Sequence, residues 1–179
     1  MAITGPKGKQ IGVLTGGGDA PGLNAVIRGI TVRAISLGYD VIGLKKGWAG
    51  LMGEECQHCE LDLDHVKDIH MTGGTILGTS RTNPYKIEGG VEKVKKTMKA
   101  KKIDFLIAIG GEDTLGVANK LFKDGIKVVG VPKTIDNDLD ATDYTFGFDT
   151  AVTRAMEAIE NLHTTAESHN RVLLVEIMG

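Results

Sequence analysis

A chain of 179 residues holds one full domain, or a domain and part of another, and its 41% hydrophobic content excludes a disordered polymer. A net charge of −2 supplies no global field toward nucleic acid or membrane, and two cysteines exclude a disulfide scaffold. No run is long enough to cross a bilayer, and the polar start "MAITGPKGKQ" is not a signal peptide, so the expected address is the cytoplasm.

"QIGVLT" (10–15) reads as a strand that runs into "GGGDAPGLN" and a helix near 22–37, with Leu23, Val26, Ile27 and Ile30 on one face. "YDVIGL" (39–44) is a second strand. "DFLIAIGGED" (104–113) is another and leads into a helix carrying Leu115, Ala118, Asn119 and Phe122. "IKVVGVP" (126–132), a long helix near 148–167 and a strand "RVLLVEIMG" (171–179) complete the series. Apolar strands alternating with helices predict an α/β fold: a three-layer, Rossmann-like parallel sheet covered by helices on both faces. The expected division is a donor-binding domain over 1–147, with 148–179 forming a connecting helix and the start of a second α/β domain. Because the last apolar run stops at Gly179, the sequence is expected to be shortened relative to its functional form.

Ligands of such sheets sit beyond the carboxyl ends of the strands. Three polar segments fall there, the first two glycine-rich: 16–24, 110–114 and 133–138. "TGGGDAPGLNAVIRG" suits an anion at a helix N-terminus, although tight packing explains such turns equally well and Asp19 can be read as a cap. In "IGGEDTLG", Glu112 and Asp113 either complement the helix dipole or hold Mg²⁺ beside phosphate; the residues alone leave both open. In "PKTIDNDLD", alternation puts Asp136 and Asp138 on one side, next to Lys133 and Thr134. One aspartate can take a hydroxyl proton there; the alternative is a turn whose aspartates bond to their own backbone. Arg81 in "TGGTILGTSRTNP" suits phosphate oxygens, against the reading of a solvated loop arginine. "CQHC" (56–59) raises zinc, but no second CxxC or HxxxH supplies the remaining ligands. The run "KVKKTMKAKK" (93–102) overlies an apolar stripe of Ile87, Val91, Val94 and Met98, which favours a solvated helix face over nucleic acid.

Together, "IGVLTGGGDAPGLNAVIRG", "GGTILGTSR", "IGGEDT", "PKTIDND", "FGFDTAV" and "SHNRVLLVEIMG" resemble the phosphofructokinase family, in family order along nearly the whole chain. The resemblance implies an amino-terminal half. It makes Asp136 the base for the sugar 1-hydroxyl, with Thr134 and Asp138 supporting it, and Glu112 the Mg²⁺ ligand. Gly17, Arg81, Gly111, Asp113 and Thr114 would hold donor phosphates. Arg171 would bind the sugar 6-phosphate, across subunits of a homo-oligomer, and Met178 and Gly179 would begin the substrate loop. ATP-using members resemble "GGDGS" and "PGTIDND", with glycines where this chain has Asp113 and Lys133. Pyrophosphate-dependent members carry this Asp/Lys pair, so the resemblance implies transfer from pyrophosphate to fructose 6-phosphate, with Lys133 as donor selector and ligand of the leaving phosphate. An ATP-dependent kinase and a non-catalytic phosphate-binding piece are the competing readings, and sedoheptulose 7-phosphate is an alternative acceptor.

Overall fold

The computed structural model describes residues 8–53 and 56–177. Six strands form one sheet in the order β3-β2-β1-β4-β5-β6. They are β1 (Gln10–Thr15), β2 (Asp40–Leu44), β3 (His58–Glu60), β4 (Ile103–Gly110), β5 (Val128–Thr134) and β6 (Phe146–Gly147). The central pairings β2·β1, β1·β4, β4·β5 and β5·β6 are parallel, as the near-continuous apolar strands predict. The expected parallel sheet carries one antiparallel edge strand that was not foreseen: the short β3 runs antiparallel to β2, Ile42 opposite Glu60. Three residues with an exposed, half-buried, exposed pattern carry no apolar run by which sequence could reveal an edge strand.

Alternation along the strands feeds two cores. On one face Leu14, Ile42, Leu44, Leu106 and Ala108 pack against α2 (Gly47–Met52), α3 (Gly90–Ala100) and α4 (Glu112–Lys123). On the other, Ile11, Val13, Val41 and Ile109 pack against α1 (Leu23–Ser36) and Leu61, Val66 and Leu77 of the long connection after β3. This is the expected helix–sheet–helix layering. In α1, Leu23 and Ile27 are buried. In α4 the buried stripe is Thr114, Val117, Ala118 and Leu121; the expected Phe122 is 64% exposed, because the apolar face is offset by one residue from the predicted one. The lysine run lies on α3, whose Val94 and Met98 are buried beneath it, whereas Ile87 precedes the helix and is exposed.

The last helix, α5 (Phe148–Ser168), has no buried residue. Val152, Met156, Ile159 and Leu162 along it are each more than a third exposed. The predicted strand over 171–179 is corrected for residues 171–177, which form no strand and pair with none. An apolar run becomes a strand only when a neighbour takes its backbone hydrogen bonds. No helix among the described residues is long and apolar enough to cross a membrane.

Candidate active site

A cleft of about 780 Å³ opens beyond the carboxyl ends of β1, β4 and β5. Its walls are Gly17–Asp19, Ser80–Asn83 with Lys86 and Ile87, Gly111–Thr114, and Lys133–Asp136 with Asp138. All three segments singled out in the sequence therefore meet in one place.

The turn after β1 is shaped by contact. The Gly16 N–H donates to the Ile109 carbonyl at 2.9 Å, which carries the sheet one residue beyond β1. A methyl group on Gly16 would lie 2.5 Å from the Thr114 Oγ1, so only glycine lets this turn pass the first turn of α4. Gly17 then takes a left-handed φ of 83°. Its N–H donates to the Ser80 carbonyl at 3.1 Å and its carbonyl accepts the Thr79 hydroxyl at 2.6 Å. Gly17 thus shapes the turn, with its amide already engaged. Thr114 is similarly a buried spacer between Gly16 and Gly110. The amides of the first turn of α4, by contrast, have no intrahelical acceptor, and no side chain caps the helix. The residues that carry them, Glu112–Thr114, line the cleft with Gly111 before them, and the helix dipole there favours an anion. Asp19 also lines the cleft; the start of α1 is capped by Gly22 without a side-chain bond, which removes the capping role considered for Asp19.

Lys133, the penultimate residue of β5, lines the cleft with only 4% of its surface exposed. Its ammonium donates to the Gly18 carbonyl at 2.6 Å and lies 3.7 Å from where a Gly17 methyl would sit. Burial pushes this lysine below its usual pKa, while the carboxylates of Asp19 and Asp136 pull it back up. The segment after it folds into a braced turn. The Thr134 hydroxyl accepts the Asp136 N–H at 3.0 Å and faces the Asp138 carboxylate at a long 3.3 Å. Asn137, left-handed at φ 52°, accepts the Thr145 N–H at 3.1 Å, and the buried Thr145 hydroxyl reaches the Thr134 carbonyl at 3.2 Å. Asn137 and Thr145 therefore close the turn, which leaves the Asp136 carboxylate exposed on the cleft wall.

Arg81 is exposed on the same wall. Sequence reasoning missed its neighbours Ser80, Thr82, Asn83, Lys86 and Ile87, whose one signal was proximity to Arg81. Arg171 is not brought to the cleft: it is exposed after α5, its N–H bonded to the Ala166 carbonyl at 2.9 Å. Met178 and Gly179 lie outside the described residues. The two thiols of "CQHC" pack on opposite faces of the sheet, Cys56 against the α2–α4 core and Cys59 against the α1 core, so they cannot share an ion.

A family model described as Phosphofructokinase matches residues 10–179. The chain belongs to the phosphofructokinase family. It is 62% identical over 171 residues to a pyrophosphate–fructose 6-phosphate 1-phosphotransferase of Amycolatopsis mediterranei (strain S699), covering 95% of this chain and 50% of that protein. It is 56% identical over 171 residues, with the same two coverages, to ATP-dependent 6-phosphofructokinase 3 of Streptomyces coelicolor (strain ATCC BAA-471 / A3(2) / M145). The crystal structure of Pichia pastoris phosphofructokinase in the T-state superposes with a TM-score of 0.82 at 29% identity, over 90% of this chain and 19% of that one. The chain spans about half the length of the curated relatives it matches. In this phosphofructokinase-family chain the family motifs and the cleft coincide: "GGGD", "GTSR", "GGEDT" and "PKTIDND" each contribute wall residues.

Proposed function

We propose that this chain carries the donor side of a pyrophosphate-dependent phosphofructokinase, which moves a phosphoryl group from pyrophosphate to the 1-hydroxyl of fructose 6-phosphate. The observation that supports this most is the buried Lys133 ammonium, tethered to the Gly18 carbonyl within the charge of Asp19 and Asp136. A fixed cation at the glycine-rich turn meets a short, highly charged donor, and the Asp113 carboxylate across the cleft opposes the further phosphate of a nucleotide. Relatives named for pyrophosphate and for ATP match at 62% and 56% identity, so overall similarity separates the donors weakly and the site residues carry the choice.

In this reading the Asp136 carboxylate accepts the proton of the sugar 1-hydroxyl as its oxygen bonds to one phosphorus of pyrophosphate. The bridging P–O bond breaks and phosphate departs, its charge met by Lys133 and Arg81. Thr134 and Asp138 hold the turn that aims Asp136. The first-turn amides of Gly111–Thr114 cradle the donor oxygens.

Mg²⁺ fits this wall in a specific sense. Among the described residues no group of three or more His, Cys, Asp or Glu side chains is arranged to hold a metal. Mg²⁺ bound with phosphate needs only one or two carboxylates, and exposed Glu112, with Asp113 beside it, provides them. When bound, the ion neutralises charge on the donor oxygens. Arg171, Met178 and Gly179 belong to the sugar-phosphate side, assembled with the remainder of a homo-oligomeric enzyme. The division at Gly147 accords with an α5 that buries none of its residues. Such an enzyme would work reversibly in cytoplasmic glycolysis and gluconeogenesis. Donor-resolved kinetics on the complete gene product test the proposal: turnover with pyrophosphate is expected, and strong ATP activity without it rejects the donor assignment.

A further inference from the structure

The segment 72–81, which presents Arg81, is a strap across the front of β1, and two buried polar side chains hold it. Asn24 on α1 is 3% exposed and spends its whole amide on the strap's first half. Its Nδ2 donates to the carbonyls of Thr72 and Gly73, at 3.1 and 3.3 Å, and its Oδ1 accepts the Ile76 N–H at 2.8 Å. Thr15, the fully buried last residue of β1, holds the second half. Its hydroxyl donates to the Gly78 carbonyl at 2.9 Å and lies 2.9 Å from the Thr75 hydroxyl. A hydroxyl has one proton. With that of Thr15 committed to Gly78, the proton between the two threonines belongs to Thr75, whose oxygen in turn accepts the Leu77 N–H at 3.2 Å. The chain Leu77 N–H to Thr75 to Thr15 to Gly78 is therefore directional.

Beyond Gly78 every strap residue up to Arg81 is tied to the donor turn. Thr79 bonds the Gly17 carbonyl and Ser80 takes the Gly17 N–H. The Ser80 hydroxyl bonds the Lys46 carbonyl at 2.7 Å, while the Lys46 N–H reaches the Leu77 carbonyl at 2.8 Å. Those two bonds hold Lys46 in a left-handed conformation, φ 59°, that a lysine does not adopt freely. The relay that ends on Thr15 of β1 is thus joined, through Thr79 and Ser80, to the Gly17 peptide and to the residue before Arg81.

We propose that Thr15 and Thr75 are positioning residues for the phosphate donor, acting through the 77–81 arm of the strap on Arg81 and the Gly17 turn. The inference rests on the donor reading above. Because Asn24 still anchors 72–76 when the relay is broken, loss of a hydroxyl moves the arm without releasing the strap.

The test uses the complete gene product and isothermal titration with magnesium pyrophosphate, and separately with fructose 6-phosphate. In Thr15→Val, a near-isosteric change, the pyrophosphate Kd rises about tenfold, the scale of one lost buried hydrogen bond, while the sugar Kd stays within about twofold. Thr15→Ser restores donor binding, and Thr75→Val reproduces the defect from the other end of the relay. Folded variants that bind pyrophosphate as the wild type does, or that weaken both ligands equally, overturn the proposal. If Thr15→Val fails to fold, Thr75→Val decides alone. A wild type that binds ATP and not pyrophosphate removes the pyrophosphate assignment, and the same tenfold weakening read with ATP upholds the positioning role. A wild type that binds neither donor overturns both.

Discussion

Replacing Lys133 with methionine removes one ammonium and keeps most of its buried stem. The charge lies in a site where 4% of the residue is exposed and where carboxylates already surround it. A donor oxygen drawn to about 4 Å from that nitrogen, at an effective dielectric of about 20, interacts with it by about 4 kcal/mol per unit charge. Spent in the transition state, that amounts to about a thousandfold in kcat/KM with pyrophosphate. Folding should respond far less. The variant loses a charged hydrogen bond to the Gly18 carbonyl, about 2 kcal/mol, and is relieved of burying an ammonium, which offsets much of it. Steady-state kinetics with pyrophosphate, paired with a thermal melt, separate the two quantities. A Lys133→Met protein that keeps its melting temperature and loses less than about tenfold in kcat/KM refutes the idea that this cation meets the leaving phosphate.

Asp136→Asn should lower kcat by about 10²–10⁴ with little change in pyrophosphate affinity, as expected for loss of a general base, and single-turnover measurements check it. Gly16→Ala should destabilise the fold by about 1–3 kcal/mol, since its methyl meets the Thr114 Oγ1 at 2.5 Å. Adding Thr114→Ala leaves only a 3.4 Å contact to Cβ, so the double variant should be more stable in urea than Gly16→Ala alone. The lowered pKa of Lys133 fixes a pH signature. A buried ammonium opposes folding below its folded pKa, and that cost fades as pH rises from the folded value toward the ordinary 10.5. Pyrophosphate beside it restores the charged form, so binding at a pH between the folded value and 10.5 should take up protons. Titrations in buffers of different ionisation enthalpy read this uptake, and Lys133→Met should lower it; equal uptake in both proteins contradicts the assignment.

Much of the architecture was legible because it is written over short distances along the chain. The apolar runs of β1, β2 and β4 and the periodicity of α1 name their own burial, and the polar turns after three strands, two of them glycine-rich, mark where ligands converge. Asp113, Lys133 and Asp136 were marked out by residue type and neighbourhood, and their roles were implied by the family resemblance. Other features were illegible for equally physical reasons. Phe122 faces solvent because a one-residue offset turns the stripe of α4, and the periodicity of a short amphipathic segment does not fix that phase. β3 exists only because β2 offers an edge to it. Residues 171–177 carry a strand-like composition but no strand, since composition supplies no hydrogen-bonding partner.

The sequence by itself determined which side chains are available for the proposed phosphoryl chemistry, and in what order along a mostly parallel sheet. Only the tertiary structure decided how they are held. The Lys133 ammonium is tethered to a carbonyl 115 residues away, Thr15 braces a strap 60 residues downstream, and the Gly17 amide is engaged by Ser80. Propensity and turn chemistry act within a few residues, whereas a hydrogen bond closed across the sheet depends on the packing of every element between its ends.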